Sequence, residues 1–363
     1  MRLTALLPPL LADPTIDDLV AAAGSRSRTD RTVVVAPGAR PAVLATMALG
    51  ASGIARATGA ADLAAPADAE EGTPLLVVTA TGRQAEETAA ALTCYLPSTD
   101  VAVFPAWETL PHERLSPRAD TVATRLSVLR RLAHPEDGQA GAPVSSGAPD
   151  PVSSGAPDPV SSGAPDPGRG PIRVLVVPVR ALLAPVVDGL GELEPVHLAK
   201  GLDVGLEATA ERLAAAAYTR VDMVENRGEF AVRGGILDIF PPTLARPVRV
   251  DFFGDEIESV STFAVADQRT IEEIGAVTAT ACREIVLTDA VRERARALTG
   301  VIPGAADMLE RIAAGIPVEG MESLAPVLVP RMVPLLDLVG DRLVVGLEPE
   351  RLRKRAEDLV ATT

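Results

Sequence analysis

A phosphate-binding turn needs glycine-rich backbone amides, a Lys for the β/γ charges and a Ser or Thr hydroxyl for Mg²⁺, set between a strand and a helix. The stretch Ala36-Pro37-Gly38-Ala39-Arg40-Pro41 stands in that place, after the apolar run Thr32–Ala36 and before a helical stretch over 42–57. It keeps one glycine, Gly38, and Pro41 or a neighbour stands where the Lys is needed. Pro41 also lacks the amide that would face a phosphate. The metal-binding half of such a site is an acidic pair at the end of another strand. The candidate, Val344-Val345-Gly346-Leu347-Glu348-Pro349, carries Glu348 and no adjacent Asp. Gly38, Arg40, Pro41 and Glu348 therefore read as the shape of a nucleotide site without its functional groups. No catalytic residue, cofactor or metal is expected.

Other constellations are weaker still. Cys94 and Cys282 lie far apart with no Cys or His at ligand spacing, which excludes a disulfide framework and a zinc site and suits a cytoplasmic protein. His112, His134 and His197 sit in loop-like surroundings, where a lone His is a solvated residue more often than a general base. The densest oddity is 104–118, FPAWETLPHERLSPR, which holds the sole Trp, Trp107, with three Pro, two Arg and two Glu. It follows a strand that reads as parallel, on the edge where ligands bind. Against a ligand contact stands plain packing of Trp107 by a Pro-stiffened loop.

The elements that must position these groups follow from composition and period. The chain has 363 residues, 47% of them apolar, with 34 Lys+Arg against 49 Asp+Glu, a formal charge of −15. That length builds two or three domains. Six Phe, two Tyr and one Trp leave little to stack on bases, and the acidic balance opposes coating phosphates, so stand-alone, non-specific nucleic-acid binding is not expected, which leaves room for a local basic groove. No run reaches the roughly 18 apolar residues of a membrane span. The N-terminal apolar run is broken by Pro8-Pro9 and reads as an amphipathic helix continuing over Thr15–Ala23 rather than as a signal peptide.

Short, nearly continuous apolar runs at 32–36, 75–80, 101–106 and 172–179 predict parallel strands buried on both faces, with helices over 42–57, 84–95 and 121–133 between them. VSSGAPDP occurs three times in register over 144–167, within a stretch (135–170) expected to be a disordered surface loop. The texture changes near Pro195. A helix over 206–217 and strands at 220–224, 229–233, 236–240, 248–253 and 256–264 predict an antiparallel meander. Helices at 290–298 and 305–314, a strand at 341–347 and a helix over 348–360 close the chain, which reads as cut from something longer.

Three stretches resemble a known family: 104–118, 218–242 (YTRVDMVENRGEFAVRGGILDIFPP) and 249–263 (RVDFFGDEIESVSTF). They are similar to the N-terminal, UvrB-like module of the Mfd family of transcription-repair coupling factors. The resemblance implies a degenerate helicase-like α/β sheet with an inserted small α+β domain, the UvrB domain 1a/2/1b arrangement. Its boundaries here are 1–194, 195–281 and 282–363. UvrB carries a Tyr-rich hairpin that enters DNA; its place here is taken by Trp107–Arg118, without a Tyr, so damage probing is not implied. Domain 2 is the surface through which the family binds UvrA, and the residues it implies are Arg220, Asp222, Arg233 and Phe240. Arg and aromatic side chains are common interface anchors. Each has a plainer reading: Arg220 and Arg233 pairing with Asp222, Glu225 or Glu229, Phe240 in the core, and Gly234-Gly235 in a turn or bulge. The implied role is a non-enzymatic, monomeric UvrA recruiter, with RNA polymerase and DNA bound by other parts of the full-length protein. Rival readings are a scaffold that clamps the motor and a nucleotide-dependent helicase fragment.

Overall fold

The computed structural model describes residues 3–25, 30–58, 72–110, 113–138 and 170–362. The three octapeptide copies and His112 lie outside the described residues; of the 135–170 stretch, Pro135–Gly138 forms a 3₁₀ turn and Gly170 is buried. Two compact units divide the chain. One comprises Met1–Phe104, Arg130–Leu182 and Leu338–Leu359; the other comprises Pro105–Leu129, Leu183–Asp337 and Val360–Thr363. The stretch 195–281 is the part of the second unit that holds its largest sheet.

The first unit is built on four parallel strands in the order Leu343–Gly346, Leu75–Thr79, Val174–Pro178, Val101–Val103. Every residue of the two central strands is buried, which is why LLVVT and VLVVP read as unbroken apolar runs. Helices Arg40–Thr58 and Gly82–Leu92 contribute Val43, Leu44, Met47, Ala85, Ala89 and Leu92 to the same core. Thr81 caps the second of these, its Oγ1 accepting from the Gln84 amide at 3.2 Å.

One expected strand is absent. Residues 32–36 are extended but form no ladder, with Val34 98% exposed. Leu343–Gly346 pairs with Leu75–Thr79 in register Leu75↔Leu343, on the side of that strand opposite Val174–Pro178, and is itself the edge strand of the described sheet. A β-branched run has strand propensity, but propensity alone does not make a strand.

In the second unit, six strands are ordered Thr270–Glu273, Glu256–Phe263, Val248–Phe253, Ile236–Ile239, Glu229–Arg233, Thr219–Arg220. The meander is antiparallel except at its end, where Thr219–Arg220 runs parallel to Glu229–Arg233 and is shorter than the sequence predicts. Alternation assigns the faces. Val248, Val250 and Phe252 point into a core with Leu213 of helix Leu206–Ala215, and Arg249 and Asp251 point away. At the Gly234-Gly235 turn, Gly234 has φ +61°, and a Cβ on Gly235 would lie 2.9 Å from the Phe252 carbonyl oxygen, so glycine is needed for both reasons. Two short pairings had no sequence signal: Val196–Ala199 with Ala276–Ala279, and Val186–Val187 with Met332–Val333. Helices Asp289–Leu298 and Ala306–Ala313 share a separate core around Leu309, Ile312 and Met321.

Candidate functional site

The outward face of the six-stranded sheet gathers charge around one carboxylate. Asp238 is directly opposite Arg249 across the ladder and Ala231 on its other side, so Arg233, two residues beyond Ala231, shares its face. Asp238 is 1% exposed. Its Oδ2 accepts from Arg233 Nη2 at 2.5 Å and from Arg249 Nη2 at 2.9 Å, and its Oδ1 accepts from Arg249 Nε at 2.7 Å. Arg249 also donates to the Gln268 carbonyl at 3.2 Å and lies over the Phe263 ring, 4.8 Å from its centroid. The hydrogen bonds from Asp238 hold the Arg249 guanidinium more firmly protonated than usual, against the opposing effect of burial. Arg233 stays 45% exposed, with its stem fixed by the strand and one end held by Asp238.

At the open edge of this sheet Arg220, Val221, Asp222, Val232 and Arg233 line a concavity of about 520 Å³. The structure thus brings together three of the four residues singled out from the sequence. Arg220 is exposed, and its side chain makes no hydrogen bond or ion pair among the described residues. The pairings anticipated for Arg233 are not formed. Its partner is Asp238, while Glu229 accepts from the backbone amides of Glu225 and Asn226 at 2.9 and 2.8 Å. Phe240 belongs to the core: it is 7% exposed, packed with Val224, Ala231 and Phe263, and its ring lies under Arg227 at 5.5 Å. It shapes the face from beneath and does not present its ring as an anchor. Asp238 and Arg249 were missed by sequence reasoning. The signal was there, since an Asp inside ILDIF and an Arg inside RVDFF are charges in apolar strands.

Residues 105–110 and 113–118 are tied down within the second unit. Trp107 Nε1 donates to Glu284 Oε1 at 2.9 Å, and the same oxygen accepts from Arg125 Nε at 2.5 Å. Arg125 and Glu284 are 2% and 1% exposed, and Arg125 also donates to the Pro105 carbonyl at 2.9 Å. Ser116 Oγ donates to Glu322 at 2.7 Å and accepts from the Gly320 amide at 2.9 Å, and Arg283 reaches both Glu322 and Ser116. The packing reading of Trp107 is therefore the one the geometry favours. Pro111 and His112 fall outside the described residues. His197 Nδ1 is 3.2 Å from Thr278 Oγ1 and His134 Nδ1 is 3.5 Å from Glu136. Among the described residues no three His, Cys, Asp or Glu side chains converge at metal-ligand geometry.

In the first unit, Pro37–Ala39 forms a single 3₁₀ turn leading into helix Arg40–Thr58. Gly38 has open space around it, and Glu348 follows strand Leu343–Gly346 at φ +57°. Arg40 Nη1 and Glu348 Oε1 are 2.8 Å apart, so the two halves of the anticipated nucleotide site meet each other.

A family profile described as the UvrB interaction domain matches residues 196–284, the stretch that contains the six-stranded sheet and ends on Glu284. The chain is 43% identical over 372 aligned positions to the transcription-repair-coupling factor of Mycobacterium tuberculosis, covering 99% of this chain and 26% of the relative. It is 30% identical to that of Haemophilus influenzae, over 70% of this chain and 20% of the relative. The Escherichia coli factor is 33% identical over 47% of this chain and 12% of its own length. The chain spans about a quarter of the length of the mycobacterial relative it matches.

Proposed function

We propose that this chain, which belongs to the transcription-repair-coupling-factor family, is a non-catalytic module that recruits the damage-recognition protein UvrA. One observation carries the reading. Arg220, Asp222 and Arg233 converge on an open concavity within the matched 196–284 segment, and Arg233 is pre-oriented by a buried carboxylate. A guanidinium already held in place loses less freedom on binding than a free one. Arg220 and Arg233 would meet carboxylates of the partner, and Phe240 would support the surface from below.

The remaining parts of the reading follow from the family. RNA polymerase and DNA would be engaged by portions of the full-length protein outside these residues. The module would act as a monomer in the cytoplasm without touching a membrane.

The test is titration of purified UvrA with the intact chain, with Arg220→Ala and with Arg233→Ala. Truncating a desolvated interfacial Arg costs about 2–4 kcal/mol, against under about 1 kcal/mol at a rim. Each variant should weaken binding by about thirtyfold or more while circular dichroism stays unchanged. If both bind UvrA as tightly as the parent, the assignment of this face is wrong.

A further inference from the structure

At the C-terminal edge of the parallel sheet the chain sets one of its own carboxylates between two arginines. Glu348 stands two residues past strand Leu343–Gly346, where Leu347 is tied to the neighbouring strand through its amide and the Val78 carbonyl at 3.0 Å. From there each carboxylate oxygen takes one guanidinium. Oε1 accepts from Arg40 Nη1 at 2.8 Å, and Oε2 accepts from Arg351 Nη1 at 2.7 Å. Arg40 is the first residue of helix Arg40–Thr58, and Arg351 lies in the first turn of helix Pro349–Thr362. The arrangement is that of two cations clasping a bound oxyanion, with a side chain as the anion.

The backbone is bent to deliver it. Glu348 has φ +57°, a region that non-glycine residues seldom occupy and that persists where surrounding structure enforces it. Pro349, whose fixed φ suits a helix start, and the Leu352 amide bound to the Glu348 carbonyl at 3.1 Å hold that bend. The hydrogen bonds from Arg40 and then Arg351 keep the carboxyl below its ordinary range, so it is ionised at neutral pH. Arg40 and Glu348 are 27% and 26% exposed, so the clasp is reachable from solvent rather than sealed in the core.

We propose that Glu348 is an internal ligand: its carboxylate occupies an oxyanion seat made by Arg40 and Arg351, closing that seat to phosphate groups, and removing it opens a phosphate site. With Glu348 present the three side chains sum to one positive charge; without it two guanidiniums face each other unneutralised. The inference concerns the first unit and stands whether or not the second binds UvrA.

The test is thermal unfolding of the intact chain in sodium phosphate and in pyrophosphate, each against sodium chloride at equal ionic strength. The parent should show only the gradual, non-saturating rise that phosphate as an excluded salt gives any folded protein. Glu348→Ala should gain a saturable phosphate-dependent rise, about 3 °C at ten times the half-saturating concentration. Adding Arg40→Ala to that variant should abolish the rise. Glu348→Gln, which keeps the bulk and one acceptor, is read in the same way if the Ala variant fails to fold. A saturable rise in the parent equal to that in the variant overturns the proposal. So does no saturable rise in either Glu348 variant, or one that survives loss of Arg40.

Discussion

Removing the Glu284 carboxylate should be among the most costly single changes in the second unit. Glu284 and Arg125 are 1% and 2% exposed, so neither charge has solvent to fall back on. In Glu284→Ala, Arg125 keeps its bond to the Pro105 carbonyl but loses the group that neutralises it, and the Trp107 indole loses its acceptor. Stripping one member from a buried ion pair costs about 3–5 kcal/mol. The indole shares the same oxygen as the guanidinium, so its loss falls within that range rather than adding to it. Glu284→Gln retains an acceptor and discards the charge, for which about 1.5–3 kcal/mol is expected. Replacing both partners by apolar residues, Arg125→Met with Glu284→Leu, removes the stranded charge altogether and should cost less than Glu284→Ala alone. Urea unfolding followed by fluorescence measures all three, because Trp107 is the sole Trp and touches the pair. A cost below about 1 kcal/mol for Glu284→Ala, or a double variant worse than the single, would refute the claim that this pair neutralises a buried charge.

Asp238→Ala should cost about 2–3 kcal/mol, chiefly through Arg249, which is 17% exposed, whereas Arg233→Ala, at 45% exposure, should cost under about 1. Equal costs for Arg233→Ala and Arg249→Ala in urea unfolding would contradict that split. Burial pushes the Cys282 thiol up from 9.0 to about 12, so alkylation at pH 8 should label one cysteine, Cys94, until the protein unfolds. The unfolded thiol ionises near pH 9 while the folded one holds its proton, so this group's stabilisation is complete below pH 9 and is lost as pH rises towards 12. Two labels on the folded chain would count against it.

The parts of the fold legible in the sequence were those written in burial. LLVVT and VLVVP sit between two other strands and carry an apolar side chain at nearly every position, so pattern and structure agree. TVVVA is similarly apolar and β-branched and forms no strand, while the neighbour of Leu75–Thr79 comes from a segment about 300 residues later, a pairing that nothing local records. The hairpins over 229–263 were readable because alternation and glycine turns are local. The pairing of Val196–Ala199 with Ala276–Ala279 joins strands separated by about 80 residues, each four residues long, and left no trace. At the candidate face, Arg220, Asp222 and Arg233 line one concavity, as their closeness in sequence and in the hairpin allows. The partner of Arg233 was not legible, since cross-strand partners depend on register, and a carboxylate five residues away became its neighbour only through the Gly234-Gly235 turn.

The charge of the whole chain and the charge of the face act over different ranges. Arg220, Arg233 and Arg249 against Asp222 and Asp238 leave one net positive charge on a chain whose total is −15. At physiological ionic strength the screening length is about 8 Å, so a partner more than a few such lengths away meets the average, which is acidic, and not the patch. Long-range steering of an acidic partner to this face would therefore be weak, and under the proposed function the arginines would act after contact, where desolvation and bidentate geometry decide how long a complex lasts. The pre-orientation by Asp238 belongs to that stage. It does nothing for encounter, but it leaves Arg233 aimed outward with its stem ordered before the partner arrives. Loss of Arg233 should then appear mainly in the dissociation rate, which is where most interface mutations act.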